Sequence, residues 1–191
     1  HRFLGEDVFF LTGTDEHGLK TKKAAEVAGI SLEEFLKEIS DKFQALNKTL
    51  NLSNDDFIRT TDIQRHEPAV IKLWKQLVEN GDLYKKKYKG FYCEGCEAFK
   101  TEKEIIDGKS TIHQKPVQEI EEENYFFKLS KYLPQIKEII ENDKIKIVPE
   151  SKKNELLSMI ENGLEDVSFS RAKEKYAGIA VPGDESQIIY V

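Results

Sequence analysis

The run Val8-Phe9-Phe10-Leu11-Thr12-Gly13-Thr14-Asp15-Glu16-His17-Gly18 decides how the rest of the chain is read. Four apolar residues followed by a short polar turn with two glycines have the pattern of a buried parallel strand ending and a helix beginning. Open α/β sheets bind small ligands at that end of a strand, and here a carboxylate and an imidazole stand there. Such crevices host many unrelated functions, so the turn alone leaves the ligand open.

Outward from the turn, residues 19–28 are rich in Lys, Ala and Glu and stop at Gly29, which predicts a helix with a C-terminal glycine. Ser31-Leu32-Glu33-Glu34 has the form of a capping box. Behind it Leu32, Phe35, Leu36, Ile39, Phe43, Leu46 and Leu50 recur at helical spacing. Asp56-Phe57-Ile58-Arg59-Thr60-Thr61 reads as a short strand, and Val70, Leu73, Trp74, Leu77 and Val78 mark an amphipathic helix ending before Gly81. Strand, helix, helix, strand, helix is α/β organisation.

From Leu83 the texture turns β-rich, with Tyr84, Tyr88, Phe91 and Tyr92 among lysines and Cys93-Glu94-Gly95-Cys96 interrupting them. Asn124-Tyr125-Phe126-Phe127-Lys128-Leu129 resumes as a strand. Two helices follow, one around Leu133, Ile136, Ile139 and Ile140, the other after Ser151 with a stop at Gly163. Val167-Ser168-Phe169-Ser170 reads as an exposed-face strand, and Pro182-Gly183-Asp184 as a turn before a last strand from Gln187. These shifts delimit residues 1–83, an inserted module at 84–166, and returning strands at 167–191. An insertion of about 80 residues is within the usual domain range.

Composition narrows the class. The 191 residues are 39% hydrophobic and 34% charged, as expected of a soluble globular protein. No apolar run approaches the roughly 18 residues of a membrane span, and no signal-like N-terminus is present, so a cytoplasmic location is expected. A net charge of -6 argues against a protein that coats nucleic acid, though a local basic surface is compatible with it. The chain opens at His1-Arg2-Phe3 and stops in the strand-like Ile188-Ile189-Tyr190-Val191, and is expected to be an internal piece of a longer protein.

Several residues carry two readings each. Asp15 either caps the following helix or turns its carboxylate to the crevice and holds a cation such as an α-ammonium. His17 either fixes the turn by hydrogen bonds or meets a ligand. Cys93 and Cys96 form one C-x-x-C, which is half of a tetrahedral zinc site, a metal-free remnant of one, or a redox pair. Their place among β-like aromatics, away from a helix start, speaks against the last. Lys85, Lys86, Lys87 and Lys89 either steer phosphates or keep an edge strand solvated.

Arg2-Phe3-Leu4-Gly5-Glu6-Asp7-Val8 through Gly18, Asp55-Asp56-Phe57-Ile58-Arg59-Thr60-Thr61-Asp62, Gly90-Phe91-Tyr92-Cys93, Tyr125 to Tyr132, Pro149-Glu150-Ser151 and Val181-Pro182-Gly183-Asp184 together resemble the methionyl-tRNA synthetases, a family of class I aminoacyl-tRNA synthetases. The matches are collinear from end to end. The resemblance implies a Rossmann-type parallel sheet with helices, interrupted by a connective-peptide insertion made of a β-rich knuckle plus helices. It also implies activation of methionine by ATP with magnesium, giving methionyl-adenylate, and transfer to the methionine tRNA. In the family, the aspartate matching Asp15 contacts the α-ammonium of methionine, a pairing that physics favours; His17 is grouped with it as substrate-binding. Arg171, which bare sequence would place in a surface ion pair, matches an arginine of the activation step, where a fixed guanidinium stabilises negative charge.

The chain departs from the family at the knuckle. Many members supply a second C-x-x-C or C-x-x-H just before a Pro-Val pair; ahead of Pro116-Val117 stand Ser110 and His113. Imidazole is a good zinc ligand and a serine hydroxyl a poor one, which leaves Cys93, Cys96 and His113. The class's two ATP signatures, resembling His-Ile-Gly-His and Lys-Met-Ser-Lys-Ser, do not occur in these residues, so the stretch alone is expected to be inactive. An RNA- or partner-binding module, or another class I synthetase-like nucleotidyl-transfer enzyme, remain the alternatives.

Overall fold

The structure, a computed structural model, describes residues 1–96 and 98–190. Strand β1 (Leu11–Thr14) lies parallel to β2 (Asp56–Arg59), with Leu11 opposite Asp56 and Thr14 opposite Arg59. A parallel pair requires a long crossover, supplied here by α1 (Leu19–Ala28) and α2 (Leu32–Thr49). Helix α1 ends where Gly29, at φ 70°, turns its N–H back to the carbonyls of Ala25 and Glu26. At the start of α2 the Ser31 hydroxyl accepts from the Glu34 N–H at 3.2 Å. Only this half of the expected capping box forms; both halves form at Thr101 and Glu104. Helix α3 (His66–Glu79) follows β2 as the spacing predicts.

The opening strand differs from expectation in one respect. It starts at Leu11, and Phe9, Phe10 and Leu11 are exposed, Phe9 to 71%. A parallel strand is buried when neighbours flank both edges and helices cover both faces; β1 pairs with β2 alone among the described residues. The α2 face is open in the same way: Leu36 is buried, whereas Phe43, Leu46 and Leu50 are not.

The β-rich region begins with β3 (Leu83–Cys93), β4 (Ala98–Lys100), the small hairpin β5 (Ile105–Ile106) and β6 (Lys109–Ser110), and β7 (Gln118–Phe127). Helices α4 (Leu129–Glu141) and α5 (Glu150–Glu161) follow, then β8 (Val167–Ser168), β9 (Ser170–Ala172), β10 (Ile179–Val181) and β11 (Asp184–Ile189). An antiparallel sheet runs in the order β4, β3, β7, β8, and a second one in the order β10, β11, β9.

Strand β7 is longer at its start than the apolar residues predict, and α4 begins where a strand was expected to continue. Its first half is the acidic run Gln118-Glu119-Ile120-Glu121-Glu122-Glu123, held opposite the lysines of β3: Lys87 faces Glu123 and Lys89 faces Glu121. Lys89 pairs with Glu119 at 2.8 Å and Lys85 with Asp184 at 2.8 Å. The Lys89–Glu119 pair links two strands of one sheet, a contact of the kind that stabilises a sheet, and Lys85 reaches Asp184 of the other sheet, so two of the four clustered lysines have carboxylate partners in the fold.

The expected exposed-face strand at 167–170 is two short strands in different sheets. Val167–Ser168 extends the β7 edge, while Ser170–Ala172 pairs with β11 and buries both Ser170 and Arg171. The crossing at Phe169 seats that ring against Phe127 and in the core built by Trp74, Ile179, Val181 and Ile189, joining α3 to the second sheet. The turn expected at Pro182-Gly183-Asp184 is present at Pro182 and Gly183, with Gly183 at φ 82°, and the last strand starts at Asp184, three residues before the expected Gln187. Val191, the last residue of the expected terminal strand, lies outside the described residues. Among the described residues no helix is long and apolar enough to cross a membrane.

Candidate active site

The end of β1 is built around a close approach. A Cβ on Gly13 would stand 2.0 Å from the carbonyl oxygen of Ile58 on β2, so only glycine lets the two strands meet there. Past this point the chain alternates as a strand does. Thr14 is half-buried, Asp15 exposed and Glu16 buried to 4% exposure.

Glu16 is the anchor that sequence reasoning missed. Its carboxylate accepts from the Thr14 hydroxyl at 2.7 Å, from Arg59 Nε at 2.8 Å, and from the Thr61 hydroxyl. Its backbone N–H donates to the Thr60 hydroxyl at 2.9 Å. Burial alone would raise the carboxyl's pKa, but the donors and the Arg59 charge outweigh it and hold it below its ordinary value. A carboxylate between Asp15 and His17 looks like part of the mouth; the signal that marks it as internal is the Thr14-x-Glu16 alternation.

Asp15, by contrast, makes a single local bond. Its Oδ1 accepts from the His17 N–H at 3.3 Å, and no cation lies within ion-pair distance among the described residues. It does not cap α1, whose N-cap is Gly18 at φ 112° with no side-chain bond. Asp15 edges a cavity of about 410 Å³ whose other walls include Phe35, Leu36, Ile39 and Phe43. His17 is half-buried near His66; burial pushes its pKa down, partly opposed by Asp15. The turn bond is made by its backbone, not by its ring.

Arg171 lines a different and larger cavity, of about 750 Å³, with Tyr84, Tyr88, Phe126 and Tyr190 among its walls. Its guanidinium lies 4.2 Å from the Tyr190 ring centroid and 5.4 Å from that of Phe99. Nη1 donates to the Ser168 hydroxyl at 2.6 Å and to the Ser170 carbonyl at 2.8 Å, and Nε is buried without a partner. The surface ion pair that bare sequence suggests is absent: the side chain is 4% exposed and no described carboxylate pairs with it. Asp15 and His17 are thus neighbours, and Arg171 stands apart from both.

The knuckle gathers the residues expected of it. Ligand atoms of Cys93, Cys96 and His113 lie within 4.8 Å of one another. Cys96 Sγ is 3.0 Å from His113 Nδ1 and 3.3 Å from Ser110 Oγ, with Ser110 fully buried. Gly95 gives His113 its room, since a Cβ there would be 3.0 Å from the imidazole's Cγ. Burial pushes the Cys93 thiol up, but hydrogen bonds from Cys96, Ser110 and Gly95 bring it below its ordinary value. Lys100, nearly buried, offers its ammonium to Glu104 at 3.2 Å and faces Cys96. Two sulfurs and an imidazole nitrogen are donors of the kind zinc takes, and the Ser110 hydroxyl lies beside one of the sulfurs.

The family model described as tRNA synthetases class I (M) matches residues 1–109 and 100–191. The chain belongs to that family. Two curated members are the methionine–tRNA ligases of Thermotoga maritima, 44% identical over 194 residues, and of Clostridium acetobutylicum, 44% identical over 191. Each alignment covers all of this chain, but only 30% and 29% of those proteins, so the chain spans about a third of the length of the family members it matches. A crystal structure of the Mycobacterium tuberculosis methionyl-tRNA synthetase bound by methionyl-adenylate superposes with a TM-score of 0.90 at 38% identity, covering 99% of this chain and 38% of that one. The apo form of the same synthetase gives 0.70 at 35% identity over 83% of this chain and 32% of that one. The Rossmann-type α/β organisation with its connective peptide is therefore the architecture of this family member.

Proposed function

We propose that this chain is part of a methionine–tRNA ligase, in which Asp15 receives the α-ammonium of methionine. The observation that carries it is an exposed carboxylate at the C-terminal end of a parallel strand, beside a buried network yet paired with no cation among the described residues. Charge-assisted hydrogen bonds to an ammonium are among the stronger polar contacts, and a site built for the amine rejects molecules that lack it. The apolar walls beside Asp15 suit an unbranched thioether side chain. His17, kept neutral by burial, offers an uncharged donor or acceptor at the same mouth.

In the whole enzyme, methionine's carboxylate attacks the α-phosphate of ATP, supplied with magnesium, to give methionyl-adenylate and pyrophosphate. The methionyl group then passes to the terminal adenosine of the methionine tRNA. Arg171 is assigned the charge that develops in the first step, because a buried guanidinium without a counterion among the described residues presents positive potential to an anion. Residues 1–83 and 167–191 are assigned to the catalytic domain and 84–166 to the connective peptide, and the enzyme to the cytoplasm. Cys93, Cys96 and His113, with Ser110 or water completing the set, would hold a structural zinc ion.

The test is methionine-dependent ATP–pyrophosphate exchange by the full-length protein and its Asp15→Ala variant. Exchange by the parent, with methionine dependence lost in the variant, is expected; unchanged methionine dependence overturns the assignment. Tight, salt-sensitive RNA binding with no role for Asp15 would favour a binding module instead. For the knuckle, elemental analysis at stoichiometric precision is expected to return zinc, and less than about 0.2 per chain rules out a structural ion.

A further inference from the structure

The turn at residues 15–17 lies just past the last residue of β1, where the ladder no longer dictates which way a side chain points. What dictates it instead is a set of bonds to the end of β2. The Thr60 N–H donates to the Thr14 carbonyl at 3.2 Å, the Glu16 N–H to the Thr60 hydroxyl, and Arg59 and Thr61 both donate to the Glu16 carboxylate. Thr14, the third donor to that carboxylate, also touches Ser40 of α2 at 3.4 Å. Glu16 is thereby fixed from β1, β2 and the following loop at once. Asp15, on the opposite side of the alternation, cannot turn inward without displacing it.

We infer that Glu16, through Arg59 and Thr61, is a positioning residue for the methionine subsite: it locks the turn so that the Asp15 carboxylate is held outward toward the amine. The inference rests on the assignment of Asp15 to the α-ammonium and adds a residue that touches no substrate. Arg59 reaches both carboxylate oxygens of Glu16 from Nε, at 2.8 and 3.1 Å. Hydrogen bonds from charged and neutral donors keep Glu16 ionised when buried, as the lock requires.

The experiment compares Glu16→Gln, Glu16→Ala and Arg59→Lys with Asp15→Ala in the full-length protein. It measures binding of methionine, binding of its analogue without the α-amine, 4-(methylthio)butanoate, the KM for ATP, and the melting temperature. A misplaced contact group costs affinity for the group it contacts, so Glu16→Gln should weaken methionine about tenfold, and Glu16→Ala more, while the amine-free analogue stays within about twofold. Arg59→Lys, which keeps the charge and loses the fork, should fall between wild type and Glu16→Gln. A merely structural role would weaken methionine, the analogue and ATP together as melting falls, and that result overturns the inference. So does methionine binding within about twofold of wild type in Glu16→Gln. Asp15→Ala separates the two claims: if it leaves the preference for methionine over the analogue unchanged, the Asp15 assignment fails, whereas a lost preference there with none lost in the Glu16 variants sinks only this inference. Should the Glu16 variants not fold, Thr61→Val keeps the ion pair and removes one donor, and a shift of about threefold in the same preference is expected; no shift counts against it.

Discussion

Asp15 and Arg171 both lack an opposite charge among the described residues, for opposite reasons. Asp15 is exposed, so water solvates it and the fold gives up nothing by leaving it unpaired. Arg171 is buried between Tyr190 and Phe99 at 4% exposure, and its hydrogen-bond partners among the described residues are a hydroxyl and a carbonyl. Keeping an uncompensated cation there costs stability. A cost retained in a fold is the stronger sign of use, so the buried charge argues for function by itself, while the exposed one argues only through the anchoring of its neighbour Glu16.

The largest expected effect tests that asymmetry. Arg171→Met keeps the volume and the ring contacts and removes the charge. Adenylate formation by the full-length enzyme, followed by pyrophosphate exchange, should fall by about 10² to 10³, the size seen when one stabilising donor is lost. The melting temperature should stay the same or rise, because replacing a buried charge by a fitting apolar group is neutral or stabilising. A clear fall in melting temperature would break the comparison, since it would mean that the fold, not a ligand, pairs the guanidinium.

Next comes the geometry under Asp15. Gly13→Ala places a methyl group 2.0 Å from a backbone oxygen of β2, which cannot move aside as a side chain can. Forced overpacking of this kind costs about 1 to 3 kcal/mol or more, to be read from denaturant unfolding, and methionine binding should weaken beyond what the stability loss predicts. Asp15→Asn, two residues further on, should change stability by less than about 0.5 kcal/mol, as surface substitutions do. A similar loss in both variants would show that Asp15 is a structural group.

How far all this was legible depends on where the deciding contact lies in the chain. Helices α1, α2 and α3 are local events, and the stop at Gly29 and the spacing of Leu32, Phe35 and Leu36 suffice for them. The turn at Asp15 is also local and was legible as a candidate site. Glu16 was not, because its burial depends on Arg59 and Thr61, more than forty residues away. The same holds for the run Glu119 to Glu123, whose place on β7 depends on the lysines of β3 that lie opposite it. Arg171 reads from bare sequence as a surface ion pair at a strand end; only the change of sheet at Phe169, a tertiary choice, puts its charge inside.

The smallest effect concerns a carboxylate that the fold does neutralise, and it calibrates Asp15 against a paired control. Asp184 accepts from Lys85 at 2.8 Å and from the Ser186 hydroxyl at 2.6 Å. Lys85 first, then Ser186, lower its pKa from 3.8 to about 2, against a smaller opposing effect of burial. With the folded value below the unfolded one, the unfolded chain takes up the proton first as acid is added. The stabilisation is therefore complete above about pH 4 and is lost as the pH falls toward 2. After allowance for solvent screening it amounts to about 1 to 2 kcal/mol. Asp184→Asn should lower unfolding free energy by that amount at pH 7 and flatten its decline between pH 4 and 2. Asp15→Asn removes no contact with a cation among the described residues and should leave stability at pH 7 within about 0.5 kcal/mol of wild type. If the two substitutions lower it equally, Asp15 has a partner within the fold, and the contrast with Arg171 reduces to a difference in burial alone.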